Sequence, residues 1–98
     1  MKLVFYGAGN MAQAIFKGII DSKILNHNDI YLTNKSNENT LKLFAKELGV
    51  KYSYDDAFLL KDADYVFLGT KPHHYQTVAS RIKSHIISDH RLISIMAG

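Results

Sequence analysis

The chain contains no cysteine. That removes any disulfide framework, thiolate nucleophile or thiolate metal site, and it fits a reducing compartment. No run approaches the roughly 18 apolar residues a helix needs to cross a bilayer, and the first residues lack the basic segment, apolar core and cleavage site of a secretory leader. A cytoplasmic protein with no membrane partner is expected. Lysines and arginines are numerous but scattered, so the stripe of cations that a nucleic-acid backbone requires is missing and nucleic-acid binding is not expected. No repeat, low-complexity tract or interdomain linker interrupts the chain. Proline occurs once, at Pro72, where it cannot donate to a sheet ladder and suits the first turn of a helix.

What is present is enough for one small α/β domain. Of 98 residues, 47% are hydrophobic and 21% charged, with a net charge of +3, an ordinary balance for a globular chain. Lys2 to Tyr6 reads as a buried strand, and Asn10 to Ser22 as a helix with Met11, Ala14, Ile15, Gly18 and Ile19 on its inward face. Ile30 to Thr33 is a second strand. A second helix follows, capped by Ser36 or Asn37, presenting Leu41, Phe44, Ala45 and Leu48 and stopped by Gly49 in a left-handed cap. Val50 to Tyr52 is a short third strand. Ser53 with Asp56 resembles a capping box for a brief helix to Lys61. Tyr65 to Gly69 is the next buried strand. A helix from Pro72 then carries Tyr75, Val78, Ala79, Ile82 and Ile86 inward, before a last strand at Leu92 to Ile95. Alternating strands and helices with short turns predict a Rossmann-like, doubly wound parallel sheet of order 3-2-1-4-5 in a single domain.

The segment Tyr6-Gly7-Ala8-Gly9-Asn10-Met11-Ala12 carries the chemistry, because a strand runs straight into a Gly-x-Gly-x-x-Ala turn that opens a helix. Gly7 permits the turn, Gly9 has no Cβ to obstruct a pyrophosphate, and Ala12 lets helix and strand pack closely. Phosphates would lie on free N–H groups at the positive end of the helix. Two further loops are expected at the same sheet edge, Asn34 to Asn37 and Gly69 to His74.

An Asp or Glu after the second strand would bond the 2′-hydroxyl of NAD and repel a 2′-phosphate. Here Asn34-Lys35-Ser36-Asn37 offers amides, a hydroxyl and a positive charge, with no carboxylate before Glu38. NADP is therefore favoured, with NAD as second choice, although Lys35 read alone is also compatible with a solvated loop lysine and Ser36 with a cap. Gly69-Thr70-Lys71-Pro72, opposite the glycine turn, would meet the nicotinamide and its ribose; Lys71 suits a point charge better than a general acid. No catalytic residue and no metal site is assigned. His73 and His74 point in different directions on a helix, and His27, His85 and His90 are isolated. Asp55 and Asp56 read as solvated capping residues, and the tyrosines as core and sheet packing.

With these residues in view, the chain resembles the pyrroline-5-carboxylate reductases. The similar features are Gly7-Ala8-Gly9-Asn10-Met11-Ala12, Lys71-Pro72 after the fourth strand, and Ser94-Ile95-Met96-Ala97-Gly98 for that family's Ser-x-x-Ala-Gly segment. Asn34-Lys35-Ser36 is similar to its Asn-Arg-Ser loop, with Lys replacing Arg. Asp56 stands where members commonly carry Asn beside the adenine. The resemblance implies NADPH-dependent reduction of the cyclic imine 1-pyrroline-5-carboxylate to L-proline, the last step of proline biosynthesis. It also implies cofactor contacts from Tyr6 through Met11, Asn34, Lys35, Ser36, Asp56, Gly69 through Pro72, and Ala97. Family members continue into a helical domain that forms the dimer and much of the substrate pocket. On that pattern residues 1–98 are the cofactor domain, monomeric and inactive alone, of a homo-oligomeric enzyme with a small-molecule substrate. The alternatives are another NADP-dependent dehydrogenase of the superfamily, or a regulatory nucleotide-sensing module.

Overall fold

A computed structural model describes residues 1–23, 26–35, 37–69, 72–83 and 91–94. Ser36, Thr70, Lys71 and Ala97 lie outside the described residues, as do His85, Ile86, His90, Ile95, Met96 and Gly98. The strands are β1 (Leu3–Tyr6), β2 (Ile30–Thr33), β3 (Lys51–Tyr52), β4 (Tyr65–Leu68) and β5 (Arg91–Ser94), and the helices are α1 (Asn10–Ser22), α2 (Glu38–Leu48), α3 (Asp56–Leu60) and α4 (Pro72–Ile82). They form a five-stranded sheet in the order β3-β2-β1-β4-β5, parallel at every pairing. This is the expected doubly wound order.

Strand alternation builds two cores. Leu3 and Phe5 of β1, Ile30 and Leu32 of β2 and Phe67 of β4 meet Ala12, Phe16, Leu41 and Phe44 on one face. Val4, Tyr6, Val66 and Leu68 meet Leu59, Leu60, Ala63 and Ile82 on the other. Because successive side chains of a strand point to opposite faces, a central strand between two helical layers must be apolar at both parities. All four residues of β1 are indeed buried. The first core is aromatic at its centre: Phe5 stacks on Phe67 with centroids 4.4 Å apart, and Phe16 meets Phe5 and Phe44 edge-on at 5.5 Å each.

The inward stripe of α1 differs from the expected one. Ala12 and Phe16 are buried and Ile15, Ile19 and Ile20 partly so, while Ala14 and Gly18 are exposed. The reading that followed Ala14 and Gly18 turned the helix by about one residue, because it gave small residues the same weight as Phe16, whose ring alone offers a large area to bury. Strand ends also move slightly: β1 starts at Leu3, β3 omits Val50, and β5 already includes Arg91.

Helix ends follow local chemistry. Asn37 caps α2 through Thr40 N, and Gly49 closes it at φ 74°, as expected. The cap of α3 is Asp55 rather than Ser53, its carboxylate accepting from Ala57 N and Phe58 N. The Ser53 hydroxyl instead accepts from Asp55 N at 3.0 Å and shapes the approach to the helix. A carboxylate gains from the positive end of the helix as well as from the hydrogen bonds, so it outcompetes a hydroxyl. At the other end of α3 the Lys2 ammonium donates to Phe58 O and Lys61 O at 2.9 and 2.7 Å, which satisfies carbonyls that the helix leaves unpaired.

Two substitutions on α1 separate the observed face from the expected one. Phe16→Ala should destabilise the fold by about 3–5 kcal/mol. Gly18→Ala, where an added Cβ meets nothing within 4 Å, should stabilise it by about 0.5–1 kcal/mol through helix propensity. Urea denaturation at constant m-value measures both.

Candidate functional site

The carboxyl edge of the sheet is held together by backbone bonds just beyond the strands. Gly7 N donates to Thr33 O and Gly69 N to Tyr6 O, each at 2.8 Å, so β1 stays tied to both neighbours as its chain turns away. Gly7 makes that turn at φ 105°, a region that favours glycine. Strand order reverses at β1, between β2 and β4, where doubly wound sheets open a crevice.

That crevice is a cleft of about 570 Å³, partly continuous with solvent, lined by Tyr6, Gly7, Asn34, Lys35, Thr77, Val78 and Arg81. Two of the expected loops therefore meet as anticipated, through Gly7 and through Asn34 with Lys35. The third wall comes from the second half of α4. Asn10 and Met11 form the first turn of α1, Pro72 opens α4, and Gly69 follows β4.

Helix starts at this edge differ in charge. The cap of α1 is Gly9, which has no side chain to offer, and its first turn holds no acid. An added Cβ at Gly9 would meet nothing within 4 Å. Thus there is room beside Gly9 at the positive end of α1, a suitable environment for an anion. By contrast, α2 and α3 are capped by Asn37 and Asp55 and carry Glu38 and Asp56 in their first turns.

Asn34 shapes its own loop. Its Nδ2 donates to Asn37 O at 2.8 Å, while its Oδ1 accepts from Asn37 N at 3.1 Å and from the Tyr54 hydroxyl at 2.6 Å. These bonds tie Asn34 to Asn37, and exposed Lys35 stands at the cleft.

Asp56 is more than a solvated capping residue. Its side chain is only 15% exposed. Oδ1 accepts from the Tyr6 hydroxyl at 2.7 Å and Oδ2 from Arg81 Nε at 2.8 Å. Burial, and next the hydrogen bond to Asp56, push the Tyr6 phenol well above its ordinary value of 10.0, so Tyr6 is a lasting donor. Arg81, read from the sequence as one scattered cation, is the residue that reading missed, together with Thr77 and Val78. A signal was available: 77, 78 and 81 share one face of a helix.

Among the described residues no helix is long and apolar enough to cross a membrane, and no group of three or more His, Asp or Glu could hold a metal ion. His73 and His74 fall in the first turn of α4.

The family described as NADP oxidoreductase, coenzyme F420-dependent, matches residues 2–98. A protein of Staphylococcus epidermidis named pyrroline-5-carboxylate reductase is 74% identical over all 98 residues, which are 36% of its length. The chain thus spans about a third of the curated relatives it matches. A solved pyrroline-5-carboxylate reductase from Coxiella burnetii superposes with a TM-score of 0.84 at 33% identity, covering 99% of this chain and 36% of that one. The pyrroline carboxylate reductase of Plasmodium falciparum, solved with NADP bound, gives a TM-score of 0.78 at 26% identity, covering 98% of this chain and 33% of that one.

The Tyr6–Asp56 bond predicts a stability loss with a pH signature. Tyr6→Phe should cost about 1.5–3 kcal/mol, the range for a hydrogen bond to a charged group. The unfolded chain releases the Tyr6 proton above pH 10.0 whereas the folded chain keeps it, so this group adds to alkaline unfolding in the wild type and not in the variant. The gap between wild type and variant should be full below pH 10.0 and shrink above it, as read by denaturant titrations at several pH values.

Proposed function

The chain belongs to the family of NADP oxidoreductases described as coenzyme F420-dependent, and from that membership we propose that it is the cofactor-holding domain of an NADPH-dependent pyrroline-5-carboxylate reductase. The observation that carries the reading is the start of α1. It has no side-chain cap and no acid in its first turn, Gly9 leaves open space, and the turn stands at the switch point of the sheet. The residues present fit a phosphorylated dinucleotide. The identity to the staphylococcal reductase, at 74%, supports the substrate: 1-pyrroline-5-carboxylate, reduced to L-proline in the last step of proline biosynthesis.

In this reading the amides of Gly9, Asn10 and Met11 receive the pyrophosphate, with Tyr6, Gly7 and Ala8 setting the turn. Lys35, at the cleft and flanked by Asn34 and Ser36, attracts the 2′-phosphate as a point charge. Gly69, Thr70, Lys71, Pro72 and Ala97 are assigned to the nicotinamide half from their sequence motifs alone. A dinucleotide held there would supply the hydride for reduction of the imine carbon. The chain's own contribution is orientation, which is worth a large share of a barrier when it holds reacting atoms in line. The substrate pocket and the contacts of a homo-oligomer belong to a second, helical domain of the full-length cytoplasmic enzyme.

Gly9→Ala tests the site without disturbing the fold, since Gly9 has an ordinary φ of −77° and free space around it. The variant should unfold like the wild type yet bind NADPH at least about tenfold more weakly, because the methyl stands where the phosphates must approach. Wild type should bind NADPH more tightly than NADH and turn over little substrate alone. Equal NADPH affinity in wild type and Gly9→Ala, measured by calorimetry, would sink the assignment.

A further inference from the structure

The turn that leads into α1 carries two successive carbonyls, those of Ala8 and Gly9, and one residue bonds both. Gln13 Nε2 donates to Ala8 O at 2.9 Å, and Gln13 N donates to Gly9 O at 2.9 Å. The second bond belongs to the first turn of any helix, and every residue except proline could make it. The first depends on the side chain, which has to reach back five residues and end in a donor. Gln13 is half-buried, whereas Gly9 is exposed.

The Ala8–Gly9 bond is a trans peptide, so the Ala8 carbonyl and the Gly9 N–H lie in one plane and point in opposite directions. Holding the carbonyl on Gln13 therefore turns the Gly9 N–H away from that side chain. Glycine makes the choice necessary. A half-turn of the same peptide would carry Gly9 from its φ of −77° to a positive φ, which glycine accepts about as readily. The local backbone thus leaves two orientations open, and they exchange the N–H for the carbonyl.

We infer that Gln13 is a positioning residue for the cofactor: its side-chain bond to Ala8 O selects the orientation in which Gly9 N–H, rather than Ala8 O, meets the pyrophosphate. A carbonyl there would repel the phosphate oxygens. The glycine that admits the ligand leaves its own peptide free to turn, and Gln13 fixes it. This rests on the dinucleotide reading above and adds to it the side chain that pre-organises the turn.

Gln13→Met keeps the length and helix propensity of the side chain and removes the donor. NADPH and NADH share the pyrophosphate, so both should bind about two- to tenfold more weakly, the range for one hydrogen bond, with their ratio unchanged. Gln13→Ala repeats the loss of the donor independently of how methionine packs. Gln13→Lys restores a donor of similar reach and should recover most of the affinity, and the recovery should persist in about 0.5 M salt, where the added charge is screened. In amide NMR spectra of the free protein the Gly9 resonance should move in Gln13→Met and return toward its wild-type position in Gln13→Lys. Calorimetry with both dinucleotides and urea denaturation complete the comparison. A lower urea midpoint in Gln13→Met and Gln13→Ala with both affinities unchanged would mean that the bond only stabilises the start of α1, and would overturn this inference alone. So would an affinity loss that Gln13→Lys fails to recover, or a Gly9 amide that does not move. Binding of neither dinucleotide by wild type would overturn it together with the cofactor reading.

Discussion

The central constraint on this molecule is that β1 is bonded on both edges and buried on both faces. Its register with β2 and β4 is continuous from Leu3 to Tyr6, and the same bonds extend through Gly7 N and Gly69 N. A slip of one residue would exchange Leu3 and Phe5 with Val4 and Tyr6 between the two cores. Phe5 would then leave its stack on Phe67. Tyr6 would carry its hydroxyl into an aromatic core with no partner, at a cost of about 1–3 kcal/mol for the buried polar group. The fold and the position of the Tyr6 hydroxyl are therefore consequences of the same parity.

That parity also joins stability to the chemistry of the cleft. Tyr6 is the last residue of β1 and points toward α3 and α4, so its hydroxyl reaches the first turn of α3. Asp56 is favourable there for the helix, and from there it can also hold Arg81 of α4. A buried strand, a short helix and the wall of the cleft are thus connected through one carboxylate. Because that carboxylate accepts two hydrogen bonds, its geometry is better determined than that of an ordinary surface ion pair.

Most of the fold is legible in the sequence because its signals are local. Gly-x-Gly after an apolar strand, Asn37 and Gly49 at the ends of α2, and Pro72 at the start of α4 each act within a few residues of themselves. What escaped was set by tertiary packing. The inward face of α1 depends on Phe16 finding Phe5 and Phe44, and small residues such as Ala14 and Gly18 give no comparable preference for either side. Asp55 stands as the cap in place of Ser53 because both are favoured N-cap residues, and only their relative strength decides between them. The half of the site built from Gly7, Asn34 and Lys35 was readable for the same local reason. Arg81 was not, because its meaning comes from Asp56, twenty-five residues earlier in the chain.

The helices divide the sheet edge into a region that welcomes anions and one that supplies its own. α1 and α4 follow the strands on the two sides of the switch point, and neither has an acid in its first turn. α2 and α3 follow β2 and β3 toward the outer edge, and both do. Negative charge at a helix start satisfies the dipole from within and removes the incentive to bind an external anion. A phosphorylated ligand is therefore directed toward β1 by exclusion as well as by attraction. Asp56 stands at the boundary, serving α3 as its internal anion while restraining the cation that α4 brings to the cleft. One side chain thus fixes where the self-sufficient region ends and the anion-receiving region begins.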